Sequence, residues 1–232
     1  MGDELLFAIF PYTAAALLVL GTATRVGLRL RGDREAPAGE PAFRSLYAGS
    51  RAWRYGLLVL LAGHLFAFAL PPALIWWDLA PARLVVLEAA GFLAGLAALV
   101  GLVGLVRRRF AAVGTLGLGA ALADGLLLTF AAVAIVSGLI MALAVRWGSS
   151  WYAVTIVPYL RSLLTLRPDV TWVAATPPVV RLHVLSGVAL LAVLPFTALV
   201  DAVALPAAKS LARTLAESGN ERTESRDEVA LS

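Results

Sequence analysis

Five stretches of the chain are each about as long and as apolar as the hydrocarbon core of a membrane demands. They cover residues 5–28, 55–75, 84–106, 119–145 and 179–204, and a helix crossing that core needs about 20 mostly apolar residues. No water reaches the backbone there. A span must satisfy its own N–H and C=O groups, which an α-helix does and an open strand does not. Composition agrees: hydrophobic residues make up 60% of the 232 and charged residues 15%, against roughly 45–50% and about 25% in a soluble domain. The chain reads as an all-α membrane protein with five transmembrane helices in a bundle. Soluble enzymes, secreted scaffolds and disordered proteins are excluded together.

Residues 1–206 form the spanning domain, and 207–232 form a polar cytoplasmic tail with little to bury. The acidic start, MGDELLF, has no basic flank and reads as a retained first span, not a cleaved signal. Between the fourth and fifth spans, residues 146–178 hold Trp147, Trp151, Tyr152, Tyr159 and Trp172. Rings with a polar edge favour the headgroup zone, so this stretch is expected to be an interfacial loop with one helix lying on the membrane. Of the nineteen Lys and Arg, fourteen fall in residues 25–54, 107–109 and 209–226. The other five are Arg83, Arg146, Arg161, Arg167 and Arg181, in the opposite set of loops. Basic loops stay cytoplasmic, which puts the N-terminus outside and the C-terminus inside. The net charge of +4 is read as this asymmetry and not as a nucleic-acid footprint. The chain has no cysteine, so it forms no disulfide and supplies no thiolate to zinc or an iron–sulfur cluster.

The two histidines of the chain, His64 and His183, both fall inside expected spans. His64 lies nine residues into the second span, or roughly 14 Å at 1.5 Å per residue. His183 lies one turn below the outer end of the fifth. Both therefore sit in the outer half of the membrane, and two imidazoles at matching depth on different helices can ligate one haem iron from opposite faces. Gly63 and Gly187 would let a flat macrocycle approach the two backbones. The alternative for each histidine is a hydrogen bond to a neighbouring helix, and for each glycine ordinary helix packing. Arg54 and Asp201 stand at the cytoplasmic ends of the same two helices. Asp201 follows His183 by 18 residues, on the same helical face and roughly 27 Å further in. The two could form an ion pair or be solvated separately.

These residues carry a resemblance. IFPYTAAALLVLGTATR, with its I-x-P-Y and G-x-x-x-R, GHLFAFALPP, VRRRF, ADGLLL, SGL and VVRLHVLSGVALLAVLPFTALV follow one another in the order and spacing of the membrane gamma subunit of respiratory nitrate reductases. The chain resembles that five-helix cytochrome b over roughly 200 residues. The family typically binds two b haems with four histidines on the second and fifth helices. His64 and His183 match the ligands of the outer haem, whereas the inner ligand positions fall on Arg54 and Asp201. The resemblance therefore implies one haem b per chain, its iron held by His64 and His183, with the vacated inner site filled by Arg54 and Asp201.

The resemblance further implies quinol oxidation near the outer haem and electron exchange with iron–sulfur and molybdenum catalytic subunits. With no inner haem, either such a partner docks on the outer face or another protein's cofactor fills the inward gap, and the outer partner is the expectation. Gly63 and His64 match the family's quinone-site block. The family's lysine falls near Val85, with Arg83 the nearby cation. Arg83 could hydrogen-bond a quinone oxygen or simply mark a helix end, because Arg does not lose a proton as Lys can. Glu88 could accept a quinol proton or be a partnered interior carboxylate. The expected location is a prokaryotic cytoplasmic (inner) membrane, with quinone and lipid as further partners and no nucleic acid. A haem-free membrane anchor, or an electron-transfer cytochrome of sulfur or hydrogen metabolism, are the competing readings. Transport and hydrolysis find no supporting pattern.

Overall fold

The computed structural model describes residues 2–31, 50–111, 118–145, 148–197, 199–200, 204, 208, 210–211 and 214. All of its regular structure is helical: α1 (Gly2–Leu30), α2 (Arg51–Ala69), α3 (Pro71–Asp78), α4 (Pro81–Ala111), α5 (Leu118–Ala144), α6 (148–164), α7 (Thr171–Ala174) and α8 (Pro178–Phe196). Five of these, α1, α2, α4, α5 and α8, are long and apolar enough to cross a membrane. The protein is a multi-pass membrane protein. The stretch 146–178, where one helix lying on the membrane was expected, holds α6, whose range carries Trp151, Tyr152 and Tyr159, and the short α7.

Span boundaries differ from the sequence reading where proline intervenes. The second span was expected to run to residue 75, yet α2 ends at Ala69 and Leu70 leaves the helix with φ −128° and ψ 57°. Pro71 is the cause, because a following proline disfavours helical geometry. Residues 71–78 restart as the separate helix α3. At its other end α2 begins at Arg51, four residues earlier than expected, because the Ser50 hydroxyl accepts from the Trp53 amide at 3.2 Å and caps the helix. The fifth span was expected to reach residue 204. Instead α8 tightens into a 3₁₀ turn at Leu194–Phe196, and Thr197 is extended with φ −100° and ψ 156°. Pro195 brings no N–H to continue the ladder.

Proline also shapes α1. Pro11 cannot donate to the carbonyl of Phe7, four residues back. The Tyr159 hydroxyl supplies the missing donor at 2.8 Å, and its ring meets Phe7 edge-on at 6.4 Å. A wider π turn (Leu5–Ile9) precedes this proline, just as another (Tyr152–Ile156) precedes Pro158 in α6. Burial, with the neighbouring Tyr12 phenol, pushes the Tyr159 hydroxyl well above the usual tyrosine range, so it stays a donor. Tyr12 donates to the Leu163 carbonyl at 2.9 Å, and Arg181 at the start of α8 pairs with Asp3. These contacts gather the starts of α1 and α8 against α6. The opposite, arginine-rich end of the bundle carries Arg25, Arg29, Arg54 and Arg107–Arg109.

Side by side, α2 packs on α4, α4 on α5, α5 on α8, and α8 on α1. Lipid is as apolar as leucine, so burying leucine between spans gains little, and close backbone approach does the work instead. A Cβ on Gly56 of α2 would lie 2.6 Å from the Ala94 carbonyl oxygen and the Ala98 nitrogen of α4. Gly101 of α4 admits the Trp53 backbone of α2 in the same way. Gly21 of α1 receives the Pro195 ring, where a Cβ would stand 2.8 Å away, and Arg25 one turn on donates to the Pro195 carbonyl at 3.2 Å. The G-x-x-x-R and P-F pieces read in the sequence are thus the two sides of one contact.

Replacing Gly56 by Ala should force α2 off α4, because the obstacles are backbone atoms. Overpacking of this kind costs about 1–3 kcal/mol. Reversible unfolding in detergent should show that loss, while the same change at Gly91, which faces open space, should leave stability unaltered.

Candidate functional site

The two histidines belong to helices that do not pack extensively on each other, α2 and α8. Their rings nevertheless meet: the centroids are 6.1 Å apart and the planes are inclined by 24°. His64 is exposed on α2, and His183 is half-buried between α5 and α8. Each ring is oriented through Nδ1. That of His64 lies 2.7 Å from the Leu60 carbonyl oxygen on its own helix, and that of His183 lies 2.9 Å from the Ala134 carbonyl oxygen on α5. A carbonyl accepts and never donates, so Nδ1 carries the proton in both rings. The lone pair is therefore on Nε2, and a backbone acceptor behind Nδ1 is the usual arrangement for a metal-ligating imidazole.

The spacing matches a shared metal. Metal–imidazole bonds run about 2 Å, and adding about 1 Å from nitrogen to ring centre on each side puts two opposed rings about 6 Å apart. A bare ion is poorly served, since the described residues hold no group of three or more His, Cys, Asp or Glu that could cage one. A haem supplies its own four in-plane nitrogens and asks the protein for two axial ligands. Gly63 and Gly187 fit that group too. A Cβ at either would meet nothing within 4 Å, so both backbones face open space beside the histidines. Tyr152 of α6 stands edge-on to His64 at 5.7 Å.

Arg83 and Glu88 lie at the α6 end, each held by contacts of its own. The Arg83 guanidinium donates to the carbonyls of Trp76 and Trp77, both at 3.0 Å, and sits 4.5 Å above the Trp76 ring. It fixes the end of α3 against the start of α4. Glu88 accepts from the Gly148 amide at 2.8 Å and caps α6. Asp78 completes that cap, taking the hydroxyls of Ser149 and Ser150 at 2.8 and 2.7 Å. A carboxylate at a helix N-terminus satisfies orphan donors and complements the dipole. Sequence reasoning passed over Asp78, although an acid next to an expected span end was a visible signal.

Arg54 is exposed on α2, and Asp201 lies outside the described residues. The described ion pair of the arginine-rich half is a different one: Arg109 of α4 donates to Asp124 of α5 at 2.8 Å, with the two side chains 8% and 2% exposed. Asp124 precedes Ser137, a neighbour of His183, by 13 residues on α5, or roughly 20 Å. Between these levels the bundle is a packed apolar core. Ala98, Leu102, Leu105, Leu128, Ala131 and Ile135 fill it, with Trp53 and Leu60 of α2 and Leu190 of α8 against them. With two histidines in the whole chain, both in the upper site, this half does not fit a second bis-histidine haem.

Asp124→Leu should remove a counter-charge from a buried Arg109. Breaking a buried pair from one side costs about 3–5 kcal/mol. Chemical unfolding of the purified protein should register a loss of that size, and a change below about 1 kcal/mol would show the pair to be dispensable.

Comparison with known proteins gives a consistent result. The family described as nitrate reductase gamma subunit matches residues 3–214. The chain is similar to the nitrate reductase-like protein NarX of Mycobacterium tuberculosis, strains CDC 1551 / Oshkosh and ATCC 25618 / H37Rv. Identity is 28% over 213 residues, covering 89% of this chain and 32% of the relative in each case. It is also similar to the nitrate reductase gamma chain of Bacillus subtilis strain 168, at 26% over 216 residues, covering 89% of this chain and 93% of that one. The chain thus spans about a third of the length of the mycobacterial relatives and nearly all of the Bacillus one.

Proposed function

The chain belongs to the nitrate reductase gamma subunit family, and from that premise we propose that it is a membrane cytochrome b subunit. It carries electrons between the quinone pool and a catalytic partner with iron–sulfur and molybdenum centres, in a prokaryotic cytoplasmic membrane. His64 and His183 would hold one haem b per chain. When bound, the haem supplies reversible one-electron redox chemistry. The observation that carries this reading is the 6.1 Å ring separation of two imidazoles whose Nδ1 atoms are committed to carbonyls.

The chain's own residues have distinct tasks in this reading. Gly63 and Gly187 leave open space beside the two histidines that such a group would need. Quinol approaches on the exposed side of α2, where Gly63 and His64 lie. Arg83 and Glu88 build the walls of that site. Arg83 holds α3 in place, and Glu88 fixes the start of α6, one turn before the Tyr152 that leans on His64. The arginine-rich half, filled by apolar packing and the Arg109–Asp124 pair, offers no redox centre of its own. The catalytic partner therefore docks at the α6 end, which the arginine distribution makes the outer face.

Replacing His64 or His183 by Ala should abolish the b-type absorption of the purified protein while leaving its helical content intact. A b-type spectrum that survives either substitution would contradict this ligand assignment. A colourless wild-type protein, purified intact with its partner, would leave the anchor reading standing.

A further inference from the structure

The two histidines are held differently, and the difference points to a pair of residues on a third helix. His64 is oriented by its own α2, through a carbonyl four residues back. His183 is oriented from outside α8. Its Nδ1–H reaches two acceptors on α5, the Ala134 carbonyl at 2.9 Å and the Ser137 hydroxyl oxygen at 3.2 Å. The Ser137 hydroxyl spends its own proton on the Val133 carbonyl at 2.6 Å. Its oxygen therefore turns lone pairs, and no hydrogen, toward the imidazole. Ser137 is 2% exposed, so water does not compete for that contact.

Gly138 supplies the other half of the seat. In an α-helix the amide of residue 138 donates to the carbonyl of residue 134, so the acceptor of His183 is the carbonyl that Gly138 itself closes. A side chain at 138 would rise over that carbonyl's second lone pair. A Cβ there would come 3.1 Å from Cε1 and 3.4 Å from Nδ1 of His183. The ring cannot simply retreat, because Nδ1–H is tied to Ala134 on the same helix.

We infer that Ser137 and Gly138 of α5 are positioning residues that fix the rotation of the His183 ring and set the electronic character of the metal it ligates. The inference rests on the haem reading above. Ser137 strengthens the donor character of Nε2 by accepting from Nδ1–H, which favours the oxidised iron. Gly138 sets the tilt of the ring, and with it the 24° between the two imidazole planes. The resonance spectrum of a low-spin ferric iron depends on that angle.

The test uses the full chain purified with its native partner, in three variants measured beside the wild type. Ser137→Ala should retain haem and raise its midpoint potential. Gly138→Ala should lower haem affinity about tenfold or more, the usual cost of disturbing an orienting contact. The haem that remains bound in Gly138→Ala should show a shifted low-spin ferric resonance. Gly125→Ala, on the same helix but facing open space, should change neither property. A wild-type haem whose potential, affinity and resonance are unmoved by both Ser137→Ala and Gly138→Ala would overturn the inference and leave the haem assignment intact. A wild-type protein without haem would instead overturn the assignment itself. If Gly138→Ala does not fold, the potential of Ser137→Ala decides alone.

Discussion

The site depends on two hydrogen bonds made inside the membrane, where a polar group without a partner is costly. An imidazole in hydrocarbon must place its N–H somewhere. In this protein both are placed on helix carbonyls, those of Leu60 and Ala134. The choice has a chemical consequence: the proton sits on Nδ1, and Nε2 of each ring is left with its lone pair. The same bonds hold the rings 6.1 Å apart although their helices are joined chiefly through α4 and α5. Gly56 and Gly101 set how closely α2 stands on α4, and Gly95 of α4 takes the Leu139 side chain of α5, where a Cβ would lie 2.8 Å away.

The bundle divides into two halves of different character. At the α6 end, helix starts are gathered by polar contacts: Tyr159 on the carbonyl that Pro11 leaves without a donor, Asp3 with Arg181, and Asp78 and Glu88 on the start of α6. This is the half that holds the histidines. Among the described residues, the arginine-rich half is closed by packed Leu, Ala and Ile and by the buried Arg109–Asp124 pair. On the proposed haem reading, a protein built this way would concentrate its redox chemistry near one face, and the proposed outer docking of the partner follows from that asymmetry.

Much of this was legible in the sequence. Five spans and a helix between the fourth and fifth follow from run length, hydropathy and aromatic placement, and the meeting of the two histidine rings follows from equal depth on two helices. Span ends were misplaced at residues 69 and 196, although Pro71 and Pro195 stood in plain view, because hydropathy continues through a proline while helical geometry does not. The tertiary partners of single polar residues were out of reach. Asp124 signals a buried counter-charge, but twelve other arginines and Lys209 lay on the same side, and no periodicity selects Arg109. Ser137 and Gly138 read as ordinary packing residues within SGL. Their contact with His183, 46 residues away in sequence, exists only once α5 and α8 lie together.

Haem content per chain, measured by pyridine haemochrome on the protein purified with its partner, tests the central claim most directly. One haem b per chain, bound through His64 and His183, is the expected result. Two per chain would contradict it, because the arginine-rich half would then hold a ligand set that its packed core and the count of histidines exclude.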